Sequence, residues 1–270
     1  MERQRSLERT GLAGRNGLDA QHKPKEQTDP MKTQLLIGTV ALLATSLMAA
    51  DLKNDVKAAA KKLADSGGYA WKATTEMGGS GGGGQRMRPG PTEGKIGKDG
   101  LAMLTMTRGE NTTEAVVMGT KGAIKTADGW QSLAEAAEGG GGGGQPGRGG
   151  FMARRLQNFK APAAEAEDLA GKTKELKKVD DAFSGELTED LAKTLLRFRR
   201  GGEGPTVSNA KGSVKFWLKE GMLSKYEFKV QGKVTYNDND MDVDRATTVE
   251  IKDVGTTKVN VPDEAKKKVS

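Results

Sequence analysis

From Tyr226 to Tyr236 apolar and polar positions alternate. Tyr226, Phe228, Val230, Val234 and Tyr236 fall on one parity, and Gly232 takes its remaining place. Lys225, Glu227, Lys229, Gln231, Lys233 and Thr235 fall on the other. Period two over such a length predicts a β-strand with one buried face and one wet face. Upstream, Ser213 to Leu218 reads as a second strand, joined to the first through Lys219-Glu220-Gly221. The pattern therefore predicts a sheet built around the 222–236 strand.

The remaining elements follow from the same periodicities. In 51–66, Leu52, Val56, Ala59, Ala60 and Leu63 share one helical face, with Asp51 as N-cap and Gly67-Gly68 as the stop. Tyr69 to Met77 reads as a strand. Residues 97–107 and 113–126 read as further strands, with turns at Asp99-Gly100, Lys121-Gly122 and Asp128-Gly129. Within 101–106 both parities are apolar. Residues 151–159 read as a helix broken at Ala161-Pro162, and 163–169 as its resumption. Leu176 to Leu187 reads as strand-like, and Thr188 caps a helix in which Leu191, Leu195 and Phe198 share a face. Asn237 to Asp244 reads as an acidic turn, 247–254 as a strand, 258–261 as a short last strand and 263–269 as a helical turn. Two glycine-rich loops interrupt the chain, at 78–91 and 139–150.

The organisation expected is a leader, an export signal and one domain. Met31 opens a segment with one Lys, an apolar run from Leu35 to Met48, and Ala49-Ala50 before Asp51. That order predicts a signal peptide over 31–50, and the run is shorter than the ~20 residues that a spanning helix needs. Residues 1–30, with six Lys+Arg and five Asp+Glu, are a disordered leader or sequence upstream of the true start. Residues 51–270 form a single domain, exported to the periplasm or secreted.

Composition narrows the chemistry. The chain of 270 residues holds no Cys and one His, His22, which precedes the domain. The domain thus lacks Ser-His-Asp and Cys-His catalysis and His- or Cys-ligated metal sites. The 43 Lys+Arg and 36 Asp+Glu are interleaved, so the +7 balance marks no nucleic-acid stripe. Counted from Asp238 as a calcium loop, positions six and twelve hold Val243 and Val249 instead of Gly and Glu. Gly171-Lys172-Thr173 lacks the earlier glycine of a phosphate loop, since position 166 is Ala. Arg148-Gly149-Gly150-Phe151 is one RGG-like element, too little for an RNA-binding tail. Carboxylate pairs such as Glu135 with Glu138 are common in a chain that is 29% charged. No cofactor, metal or catalytic residue is assigned.

The order of elements resembles the bacterial lipoprotein-carrier type of half-barrel, the superfamily of the outer-membrane lipoprotein carrier and the mycobacterial lipid-transporting lipoproteins. The segments that carry the resemblance are 122–133 (GAIKTADGWQSL), 182–196 (AFSGELTEDLAKTLL) and 212–236 (GSVKFWLKEGMLSKYEFKVQGKVTY). Members that are themselves lipoproteins use a Cys, which is absent here, and the glycine-rich insertions are not part of the pattern. The resemblance implies an α+β fold, a curved antiparallel sheet or incomplete barrel capped by a few helices, that holds an apolar ligand without chemistry. The partner is then an apolar small molecule, a lipid or a lipidated protein, with transient membrane contact and no nucleic acid. The expected lining is Trp71, Leu101, Met103, Val116, Met118, Trp217, Tyr226, Phe228, Val230 and Val234. The rival expectation is an envelope interaction protein with a filled core, which engages a protein through its glycine-rich loops.

Overall fold

The computed structural model describes residues 51–78, 89–138, 148–197, 205–236 and 239–269. The expected leader and signal segment lie outside them, as do most of both glycine-rich loops. Among the described residues the fold is α+β, and its sheet is one open antiparallel array of eleven strands. In chain order these are β1 (Gly68–Gly78), β2 (Thr92–Gly97), β3 (Ala102–Arg108), β4 (Asn111–Met118), β5 (Lys121–Thr126), β6 (Gly129–Ser132), β7 (Thr173–Val179), β8 (Ala182–Leu187), β9 (Thr206–Lys219), β10 (Met222–Tyr236) and β11 (Asn239–Lys252). Their order across the sheet is β6-β5-β4-β3-β2-β1-β11-β10-β9-β8-β7. Two meanders therefore meet where β1 pairs with β11, and the sheet curves without closing, an incomplete barrel. Strand twist accumulates over so many strands, and an open sheet of this width curls instead of staying flat.

The helices are α1 (51–64), α2 (Leu133–Glu138), α3 (Arg148–Leu156), α4 (Pro162–Gly171), α5 (Glu189–Leu196) and α6 (Asp263–Val269). Helix α1 buries Val56, Ala59, Ala60 and Leu63, as its periodicity predicts. Asp51, the expected N-cap, is itself helical. Thr188 caps α5 as expected, its hydroxyl accepting from the Leu191 N–H. Ser132 and Glu135 form a reciprocal capping box at the start of α2, with the Glu135 N–H on the Ser132 hydroxyl at 3.1 Å and the Ser132 N–H on Glu135 Oε2 at 2.8 Å.

Several local expectations shift. Of the acidic turn expected at 237–244, residues 237 and 238 lie outside the described residues, and the rest is strand. Asp240, Asp242 and Asp244 stand in β11, opposite Thr235, Lys233 and Gln231 of β10. Lys233 pairs with Asp240 at 3.2 Å, and cross-strand charge pairing of this kind lets an acidic stretch join a sheet. The strand-like stretch 176–187 is a hairpin of β7 and β8 that turns at Asp180-Asp181, with Asp180 at φ 55°. The turn expected at Lys121-Gly122 falls instead at Gly119-Thr120, and Lys121 and Gly122 belong to β5. β2 is a separate strand, with Gly94 as its middle. Residues 258–261 form no strand, and α3 begins inside the glycine run at Arg148. The hairpin of β9 and β10 is as read: Glu220 at φ 54° and Gly221 at φ 73° give the two left-handed residues that a tight hairpin turn requires.

Candidate functional site

Strand register defines the two faces of the sheet. One cross-strand row runs Phe183, Phe216, Tyr226, Val249, Ala73 and Thr92. Its neighbour runs Ala182, Trp217, Lys225, Glu250, Lys72 and Glu93. The first row lies on the inner face, under α1 and α3–α5, and the second on the outer face. The inner core joins Tyr69, Trp71, Leu104, Phe216, Tyr226, Phe228, Val230 and Val234 of the sheet to Val56 and Leu63 of α1, Leu169 of α4, and Leu191 and Leu196 of α5. The sheet supplies aromatic rings and branched chains. The helices supply small chains, Ala60, Ala153, Ala163, Ala166, Ala170 and Ala192, in equal number with larger ones, Val56, Leu63, Leu156, Leu169, Leu191 and Leu196.

Close approach is enforced where the sheet meets its cover. A Cβ on Gly94 would stand 2.1 Å from the Trp71 ring, which itself stacks on Phe159 at 6.0 Å between centroids. A Cβ on Gly232 would stand 2.7 Å from Leu196 of α5. The gap in the alternation of β10 is thus the place where α5 presses on the sheet. Glycine is there for room, since nothing larger fits between the strand and the helix.

Three polar contacts join this apolar interior to the helix ends. Pro162 opens α4, whose N-cap residue Ala161 offers no side-chain acceptor. The Tyr69 hydroxyl accepts the Ala163 N–H at 3.2 Å, one of the donors that a helix start leaves open. The Tyr226 hydroxyl donates to Glu165 Oε2, two residues further along α4. Arg245 on β11 donates to the Leu195 carbonyl at 2.7 Å, near the C-terminal end of α5, where a cation also suits the helix dipole. Sheet side chains therefore finish both helices.

Electrostatics follow from burial. Burial pushes the Tyr69 hydroxyl up to about 12, partly countered by the Ala163 N–H. Burial, and then the neighbouring Glu165, hold Tyr226 well above its usual range, so both phenols stay neutral. Burial raises the half-buried Glu165 carboxyl, against the Tyr226 hydroxyl, Lys160, Arg155 and Arg245, all of which favour its charged form. Burial lowers Arg245, and so does the positive field of Arg155.

Comparison with protein families and with curated proteins gives no match. Among solved structures the chain is similar to lipoprotein LppX of Mycobacterium tuberculosis, with a TM-score of 0.40 and 10% identity over 79% of this chain and 99% of that one. It is also similar to LprF of Mycobacterium bovis, with a TM-score of 0.39 and 10% identity over 80% and 98% of the two chains. Mycobacterial lipoproteins are one of the two groups that the sequence resemblance names.

The register divides the expected lining residues between the faces. Trp71, Tyr226, Phe228, Val230 and Val234 meet on the inner face, buried under the helices. Leu101, Met103, Val116 and Met118 meet one another on the outer face, in a second cluster with Ala123 and Trp130. That cluster is covered by Val261, Ala265 and Val269, the last two on α6. Trp217 is also on the outer face, where its Nε1–H donates to Asp181 at 3.2 Å and the Lys225 ammonium sits 4.7 Å from its ring centroid. The two apolar parities of 101–106 thus have separate causes: the helix layer covers Ala102 and Leu104, and the C-terminal segment covers Leu101 and Met103. Sequence reasoning did not reach Tyr69, Glu165 or Arg245. Arg245 carried a signal, because it shares the parity of Thr247, Val249 and Ile251 and so had to face inward.

No helix among the described residues is long and apolar enough to cross a membrane. Among the described residues no three His, Cys, Asp or Glu side chains converge as a metal site.

Proposed function

We propose that this protein is an exported, non-enzymatic binding protein of the cell envelope. Its ligand is apolar, a lipid or a lipoprotein acyl chain, held between the inner face of the sheet and the helix layer. One observation carries the reading. The inner face of the sheet is an apolar floor of Trp71, Phe216, Tyr226, Phe228, Val230 and Val234, covered by the separate helices α1 and α3–α5, half of whose buried core side chains are Ala. Each Ala buries little surface, at about 25 cal/mol per Å², and the three polar contacts at the helix ends add to what the Leu and Val side chains hold. On this reading the layer lifts from the apolar floor, and an acyl chain packs against that floor in its place. Of the expected lining, Trp71, Tyr226, Phe228, Val230 and Val234 serve this reading.

Native mass spectrometry of protein purified from its own envelope fraction tests the proposal, together with uptake of a fluorescent fatty acid. Adduct mass and saturable uptake are expected. Apo mass with no uptake overturns it. A second reading, an envelope interaction protein with a filled core, is supported by the complete burial of Phe216, Tyr226 and Val230. It requires co-purification of protein instead of lipid.

A further inference from the structure

Two buried donors stand open side by side on β1. Tyr69 and Trp71 share the inner parity of that strand. They are 2% and 4% exposed, with ring centroids 5.9 Å apart. The Tyr69 oxygen accepts the Ala163 N–H. Among the described residues nothing accepts the proton of the Tyr69 hydroxyl, and nothing accepts the Trp71 indole N–H. Comparable donors elsewhere are answered. The Tyr226 hydroxyl donates to Glu165. The Thr173 hydroxyl, 2% exposed, donates to the Leu169 carbonyl at 2.7 Å. The Trp217 N–H donates to Asp181 at 3.2 Å.

A buried Tyr O–H or Trp N–H ordinarily finds a partner, and leaving it without one costs free energy. The fold does not need either proton: the Tyr69 oxygen alone serves α4. The rings also lead inward from the rim. Phe159, half-buried between α3 and α4, stacks on Trp71 at 6.0 Å, and Trp71 adjoins Tyr69. We propose that the Tyr69 hydroxyl and the Trp71 indole N–H donate to an uncharged ester carbonyl of the lipid whose acyl chain lies on the inner face. This rests on the apolar-ligand reading above and names the ligand as an acyl ester. Two features favour an uncharged acceptor. Both donors are neutral, so an ionised head would give up its hydration without a counter-charge from them. The same turn of α4 carries the Glu165 carboxyl, two residues from the Ala163 that Tyr69 holds, and a second carboxylate would be repelled there. Burial pushes the Tyr69 hydroxyl up to about 12, so it keeps the proton that it donates. Its oxygen accepts from α4 while its proton goes to the carbonyl, so the ligand is seated without loss of that helix contact.

The test uses pyrene-labelled palmitic acid, its methyl ester and pyrene-labelled hexadecane on the purified full-length chain. Tyr69→Phe and Trp71→Phe should each weaken the ester about fivefold relative to the hydrocarbon, the factor that a neutral hydrogen bond supplies. The hydrocarbon corrects for any loosening of α4 in Tyr69→Phe and for the smaller ring in Trp71→Phe. A second readout needs only the wild-type chain, and so stands where a variant fails to fold. The infrared carbonyl stretch of the bound, isotope-labelled ester should lie below its position in hexane. Equal losses of ester and hydrocarbon in Tyr69→Phe, or a bound stretch that matches hexane, overturns the proposal. A larger loss for the carboxylate than for the ester means an ionised acceptor and overturns the ester assignment. Absence of binding by all three probes overturns instead the apolar-ligand reading on which it rests.

Discussion

Tyr226→Phe isolates the contact on which the helix cover turns. Phenylalanine keeps the ring, so the packing against Phe216 at 6.4 Å between centroids is preserved. Only the hydroxyl that donates to Glu165 is lost. A hydrogen bond to an ionised group contributes about 1.5–3 kcal/mol, and the carboxylate left behind is half-buried without that donor. The expected cost is about 2 kcal/mol near neutral pH. The pH dependence adds a second check. Burial raises Glu165 above the ordinary carboxylate range, so the folded state holds its proton more tightly than the unfolded state does. Its contribution is then fully present below the ordinary range and is lost as pH rises through the folded value. The Tyr226 hydroxyl pulls that value down. Its removal pushes Glu165 further up, and the penalty grows with pH. Urea unfolding followed by tryptophan fluorescence at about pH 4 and about pH 7.5 measures both effects. In a Glu165→Gln background the same change should cost only about 1 kcal/mol, the value of a neutral hydrogen bond. An equal loss at the two pH values, or full additivity of the two substitutions, refutes the account.

Gly94→Ala drives a methyl into the Trp71 ring, which Phe159 holds from its other side, and should cost about 1–3 kcal/mol in thermal or urea unfolding. An unchanged midpoint would mean that Trp71 is free to move. Glu135 is held low, to about 2, first by the Ser132 N–H and then by Lys268. Its folded value lies below its unfolded one, so its contribution is present above the ordinary carboxylate range and fades as pH falls toward about 2. An acid titration of stability in Glu135→Ala should run flatter than wild type over that window. Thr188→Ala removes the hydroxyl that caps α5 and should cost about 1 kcal/mol, read as a lower urea midpoint with unchanged slope.

The elements were legible wherever one chain segment carries its own reason. Tyr226 to Tyr236 alternates because β10 is covered on one face and wet on the other. Leu52, Val56, Ala59 and Leu63 repeat at helical spacing because α1 has one partner. The misreadings fall where the reason lies in another segment. Asp240, Asp242 and Asp244 resemble a turn until Lys233 and Thr235 are set opposite them. Residues 92–96 carry no strand reading of their own, because Gly94 leaves its place on the inner face to the Trp71 ring. The split of the expected lining has the same cause. Period two separates the parities of a strand but does not say what covers either one.

The sequence by itself determined the local alternation of strand and helix, the β9–β10 hairpin and its turn, the cap on α5 and the lack of His and Cys beyond His22. These depend on neighbours along the chain, where backbone geometry leaves few choices. Only the tertiary structure decided that Tyr226 meets Glu165 instead of a second apolar layer, that Arg245 reaches α5, and that Leu101, Met103, Val116 and Met118 lie under the C-terminal segment. Those contacts join residues far apart in the chain, so they depend on the register of eleven strands. A shift of one residue in any strand would turn all its side chains to the other face.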